Sequence, residues 1–175
     1  SRVSRGLGDV YKRQVKDSFV RLVNEDANAH MVGTAMSVIG RSFKQRIIEL
    51  GEEKLGKAPI PYCFLALGSM GRDEQLLVTD QDNAIILDDT YDEKKHGKYF
   101  EELSTFICDG LDQCGYVYCT GDIMATNPTW RMTRRQWEEC FADWIDDPNP
   151  KALLNASIFF DLDGVYGRLK WAEQL

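Results

Sequence analysis

The stretch Tyr62-Cys-Phe-Leu-Ala-Leu-Gly-Ser-Met-Gly-Arg-Asp-Glu-Gln-Leu-Leu-Val-Thr-Asp-Gln-Asp-Asn-Ala-Ile-Ile-Leu87 decides the fold. It opens with an all-apolar run of strand length, Tyr62 to Leu67, and closes with a second, Ala84 to Leu87. Runs with no polar alternation predict strands buried on both faces, hence a sheet covered by helices. Between them stand a Gly68-Ser69 turn, a polar segment, and two carboxylates at Asp80 and Asp82. Residues i and i+2 of an extended chain project to the same side, so the two carboxylates can converge on one point. Convergent carboxylates repel unless a cation sits between them. Mg²⁺ (or Mn²⁺) suits the task, being hard, oxygen-seeking and commonly shared with substrate phosphates. Gly68 lets the backbone approach a phosphate, Ser69 offers N–H and hydroxyl donors, and Arg72 has a planar fork for phosphate oxygens. The layout suits phosphoryl or nucleotidyl transfer from a nucleoside triphosphate. P-loop, dinucleotide-binding and kinase signatures are absent.

Outward from this stretch the pattern alternates. Met31, Ala35, Ile39, Phe43, Ile47 and Leu50 recur at helical spacing, with Arg41, Lys44, Glu49 and Glu52 between them. Helices are expected at about 16–23 and 28–55, broken near Asn24-Glu25-Asp26 and ended by Pro59 and Pro61. Tyr99 to Cys114 is again helical, Tyr116 to Cys119 is a third strand candidate, and helices are expected at about 133–144, 150–159 and 166–175. The fold class is α/β (α+β): a small mixed sheet flanked by helices, with an N-terminal helical segment over 15–58 and a core over 59–168.

The chain has 175 residues, 43% apolar and 28% charged, with formal charge −7: a single domain of ordinary composition. Acids outnumber bases 28 to 21, so a basic nucleic-acid footprint is missing. No apolar stretch is long enough for a membrane span, and no signal peptide opens the sequence. Five unpaired-looking cysteines and two histidines give no zinc pattern, and read as reduced thiols of a cytoplasmic protein. The opening run Gly6 to Gln14 resembles a translated sequencing-adapter read-through, so residues 1–14 are expected to be non-native. The sequence stops inside an expected helix, leaving 169–175 as the start of a cut C-terminal helical region.

The strand, Gly-Ser turn and Asp-x-Asp resemble the DNA polymerase beta-type nucleotidyltransferase superfamily. Gly68-Ser-Met-Gly-Arg-Asp-Glu-Gln75 and Thr79-Asp-Gln-Asp-Asn83 resemble, more closely, the nucleotidyltransferases found downstream of CBS and cyclic-nucleotide-binding domains, a group related to the N-terminal domain of protein-PII uridylyltransferase. Cys119 to Trp130 and Phe159 to Gly167 are similar to the same group, extending the resemblance over about Val15 to Arg168. It implies a bacterial signalling protein in which Asp80 and Asp82 hold metal and Gly68 and Ser69 contact phosphate. It also implies UTP or ATP as donor, UMP or AMP transferred to a protein acceptor, and CBS or cyclic-nucleotide-binding domains in a longer parent. A third carboxylate completes such sites: Asp122, after the third strand candidate, is favoured by topology, with Asp161 as the alternative. Where relatives carry Asp-Leu-Arg, this chain has Asp163 in place of the Arg, which removes a phosphate-binding cation.

Plainer readings stand beside these. Asp80 and Asp82 could be turn residues, Arg72 a surface ion pair, and Gln81 a bond to loop backbone. Trp137 and Trp144, seven apart, point to core packing; Asp88, Asp89 and Asp92 near Glu93 point to a solvated acidic loop, with metal recruitment as the alternative, and His96 falls in a Lys-rich loop. A competing function is a non-catalytic module that senses nucleotide for neighbouring domains. A third is a pure protein-interaction domain.

Overall fold

Alternation along two strands divides the molecule into its layers. In a computed structural model, residues 6, 8–14, 17, 29–67 and 79–175 are described, with the backbone alone for 29–39 and Thr79. The helix expected at 16–23 apart from Asp17, its break, and Gly68, Ser69 and Arg72 lie outside that description. The described elements are α1 (Ala29–Leu55), β1 (Tyr62–Ala66), β2 (Thr79–Asp80), β3 (Asn83–Leu87), α2 (Glu93–Gln113) and β4 (Tyr116–Val117). A 3₁₀ turn (Pro128–Trp130) then leads to β5 (Arg131–Thr133), α3 (Arg134–Asp146), α4 (Pro150–Phe159), β6 (Asp163–Gly167) and α5 (Lys170–Glu173). No described helix is long and apolar enough to cross a membrane.

The main sheet runs β5-β3-β1-β6, and β2 pairs with β4 in a separate two-stranded ribbon. β1 is antiparallel to β3 and β6, whereas β3 is parallel to β5, so the sheet is mixed, as the sequence predicts. Phe64, Ala66, Ile85 and Leu87 face one layer with Phe43 and Ile47 of α1 and Phe100, Leu103, Ile107 and Leu111 of α2. Cys63, Leu65, Ala84 and Ile86 face the other, with Trp130, Trp137, Phe159 and Ala172. Covering both faces explains why neither strand alternates in sequence. Residues 8–14 are helical, and the Tyr11 ring meets Phe43 edge-on at 5.2 Å.

Several sequence expectations need correction. α2 starts at Glu93, not near Tyr99, because Asp92 caps it by accepting from the Lys94 N–H at 3.0 Å. His96 is therefore helical, and its Nδ1 accepts from the Asp92 N–H at 3.0 Å. The acidic cluster lies at the surface, as its sequence suggests, and also holds backbone: Asp88 accepts from Thr90, and Asp89 from the Arg135 N–H at the start of α3. Of the charged residues of α1, Arg46, Glu49 and Glu53 are exposed, whereas others turn inward. Lys44 is buried, 5.2 Å from the centre of the Tyr116 ring, and Glu52 accepts from the hydroxyls of Tyr62 and Tyr166. Arg41 pairs with Asp163 at 2.5 Å and donates to the Gly164 carbonyl, tying α1 to β6.

The helix expected from Tyr166 onward begins instead as strand: Tyr166 and Gly167 end β6, and α5 is a single turn. Gly167 sits at φ +89°, and a Cβ there would overlap the carbonyl of Tyr62. Gly167→Ala is thus expected to cost about 1–3 kcal/mol or more, because β6 must move off β1. A lowered denaturation midpoint with unchanged slope would check this. An unchanged midpoint would contradict the close approach.

Candidate active site at the end of the central hairpin

The site forms where β1 and β3 end side by side. Their register sets Ala66 opposite Asn83, and the Leu67 N–H donates to the Asp82 carbonyl at 2.9 Å. The residue directly before Gly68-Ser69 in sequence is therefore bonded to one of the two aspartates, although 14 positions of chain lie between them. Asp80 ends β2, whose parallel partner β4 lies opposite in the register Thr79 to Tyr116 and Asp80 to Val117.

Alternation then sorts the side chains. Gln81 and Asn83 are wholly buried, while Asp80 is exposed and Asp82 half-buried. The Gln81 amide nitrogen donates to the carbonyls of Cys108 in α2 and Tyr116 in β4, both at 2.9 Å. The two inward residues thus bond to α2, while Asp80 and Asp82, which alternate with them, are the more exposed.

Asp82 has its carboxyl raised above the usual carboxylate range, chiefly by burial and further by the charge of Asp80. A hydrogen bond from the Cys119 thiol opposes that rise. The thiol of Cys119 is raised in turn, first by its own burial and then by donating to Asp82. Cys119, read from the sequence as a structural cysteine, therefore stands at the site, and no sequence spacing announces it. The pair is a hard-oxygen donor set carrying mutual repulsion, which a small divalent cation would relieve. Mg²⁺ commonly takes one or two carboxylates and fills its remaining positions with water and phosphate, so the donor chemistry fits.

The third carboxylate is a different matter. Among the described residues, no group of three or more His, Cys, Asp or Glu stands close enough to hold a metal. Asp122 is exposed with φ +57°, in a turn where its N–H donates to the Cys119 carbonyl at 3.1 Å and its carbonyl accepts from Asn127. Asp161 follows α4 in the turn before β6. Asn127 caps the 3₁₀ turn through the Thr129 N–H, and Trp130 is buried against Trp137 and Phe159. In the Asn127 to Trp130 turn it is thus Trp130 that packs, while Pro128 and Thr129 are exposed. Trp137 and Trp144 join the same aromatic cluster, as their spacing predicts.

A mixed sheet covered by helices, with the sequence Gly-Ser directly after one central strand and an Asp-x-Asp leading into its neighbour, fits a nucleotidyltransferase-type domain. The chain matches the family Putative nucleotidyltransferase DUF294 over residues 13–151, and it belongs to that family. No curated protein matches it.

Proposed function

We propose that this domain is a metal-dependent nucleotidyltransferase whose site is built on Asp80 and Asp82. What supports the reading is that Asp80 and Asp82 alternate with the buried Gln81 and Asn83, that the charge of Asp80 raises the Asp82 carboxyl, and that the Asp82 carbonyl accepts from the Leu67 N–H at the end of β1. Asp80 and Asp82 would hold Mg²⁺ or Mn²⁺, with Cys119 fixing one oxygen of Asp82. Gly68, Ser69 and Arg72 would contact the triphosphate. When bound, the divalent ion would supply charge neutralisation along the triphosphate and at the leaving pyrophosphate. An acceptor hydroxyl would attack the α-phosphorus in line, and the bond to pyrophosphate would break.

The resemblance to protein-PII uridylyltransferase supports a protein acceptor and UMP as the transferred group, with AMP as the alternative. The similarity to CBS-associated and cyclic-nucleotide-associated proteins supports a role in bacterial signalling beside such domains, in the cytoplasm.

Calorimetric titration with UTP, ATP, CTP and GTP, with and without Mg²⁺, tests the reading. Binding that requires Mg²⁺ and prefers one base is expected. A folded chain with no Mg²⁺-dependent binding would overturn it. Two observations favour a nucleotide-sensing module as second reading: no third carboxylate joins the pair among the described residues, and Asp163 is engaged by Arg41. Mg²⁺-dependent binding of nucleotide with no pyrophosphate released in the presence of acceptor proteins would decide for the sensor.

A further inference from the structure

Gln81 and Asn83 alternate with the two aspartates and are wholly buried. Buried side-chain amides are costly unless every polar atom has a partner. Here each polar atom has at least one. Besides its bonds to Cys108 and Tyr116, Gln81 accepts through Oε1 from the Asn83 Nδ2 at 3.0 Å. Asn83 Oδ1 accepts from the Ala125 N–H at 2.7 Å and from the Cys108 thiol at 3.5 Å. The main chain is held as well: the Gln81 N–H donates to Val117 and the Asn83 N–H to Ile123. Four residues of chain are thereby tied to α2, β4, the 123–125 segment and the end of β1.

The same face continues two positions on with Ile85 and Leu87, which pack as ordinary core. Burial alone would be served by aliphatic residues at 81 and 83. The amides add direction: rotation of this segment about its own axis would break several bonds at once in a site closed to water.

We propose that Gln81 and Asn83 are positioning residues, a buried amide pair that sets the angle at which Asp80 and Asp82 meet a divalent cation. This rests on the reading of Asp80 and Asp82 as metal ligands given above. Ligands must be held within about 0.5 Å of the working geometry, and loss of an outer-shell partner weakens metal binding by about 10–100-fold.

The test is the affinity of the 175-residue chain for Mn²⁺, read by electron paramagnetic resonance of the free ion. Gln81→Met keeps the length and removes both donors; Asn83→Ser removes the cross-link and serves if the first variant fails to fold. Phe159→Leu, in the opposite apolar layer, is a destabilised control, and circular dichroism gives the temperature at which every variant is folded. Either amide variant is expected to weaken Mn²⁺ binding about 10–100-fold, with Phe159→Leu within about two-fold of the parent. Gln81→Met or Asn83→Ser binding as tightly as the parent overturns the positioning role. So does an equal loss in Phe159→Leu, which would make the effect one of stability. A parent that does not bind Mn²⁺, or Asp82→Asn binding it unchanged, overturns the metal-site reading itself and the positioning role with it.

Discussion

Replacing Asp80 and Asp82 together by Asn is expected to abolish Mg²⁺-dependent nucleotide binding while the protein stays folded. The loss should reach about 100-fold or more, the equivalent of about 3 kcal/mol, because the amides are neutral and cannot hold a divalent ion against water. Stability should move the other way. The Asp82 carboxyl is raised by burial and by Asp80, so between the ordinary carboxylate value and its own raised value the folded state holds the proton more tightly than the unfolded chain. Its contribution to stability is therefore present at low pH and falls as pH rises through that window. At neutral pH the charged pair is a burden on the fold, and Asp82→Asn should melt no lower than the parent. Calorimetry and melting curves on the same samples check both halves. Nucleotide binding retained in the double variant would remove the aspartates from the site.

The second large effect belongs to the opposite layer. Trp137 is fully buried, 5.1 Å from Phe159 between ring centres, and its indole N–H donates to the Ile85 carbonyl at 3.0 Å. Trp137→Ala should lower stability by about 3–5 kcal/mol, through the cavity and the lost donor together. Against a total of about 5–15 kcal/mol for a domain, that is a large share. Trp137→Phe keeps most of the ring contacts and should cost less. A Trp137→Ala protein that melts with the parent would mean that the aromatic cluster does not support the sheet.

The features readable from sequence are those with a local cause. β1 and β3 announce themselves as apolar runs, α4 as Pro150 to Phe159 behind an Asn149 cap, and the carboxylate pair by its spacing. β5 and β6 are short and carry Arg131, Thr133 and Asp163; they are strands because β3 and β1 offer edges to pair with. The partners of Arg41 and Glu52 are not legible, because periodicity cannot show that β6 returns beneath α1. Gln81 reads as a loop-backbone contact, which is half right. It bonds backbone carbonyls, but from the interior, and one of them belongs to a helix more than 20 residues away. Cys119 reaches Asp82 only through tertiary folding, as does the absence of a third carboxylate among the described residues.

The place of β1 between β3 and β6 sets a timetable for folding. Its first neighbour follows within some 20 residues, and its second only at Asp163. During synthesis at about 5–20 residues per second, roughly 100 residues of waiting is about 5–20 s. Through that interval one edge of the most apolar strand stands open, with bare N–H and C=O groups able to pair with another nascent chain. The pentapeptide that closes it, Asp163 to Gly167, is therefore expected also to limit such pairing.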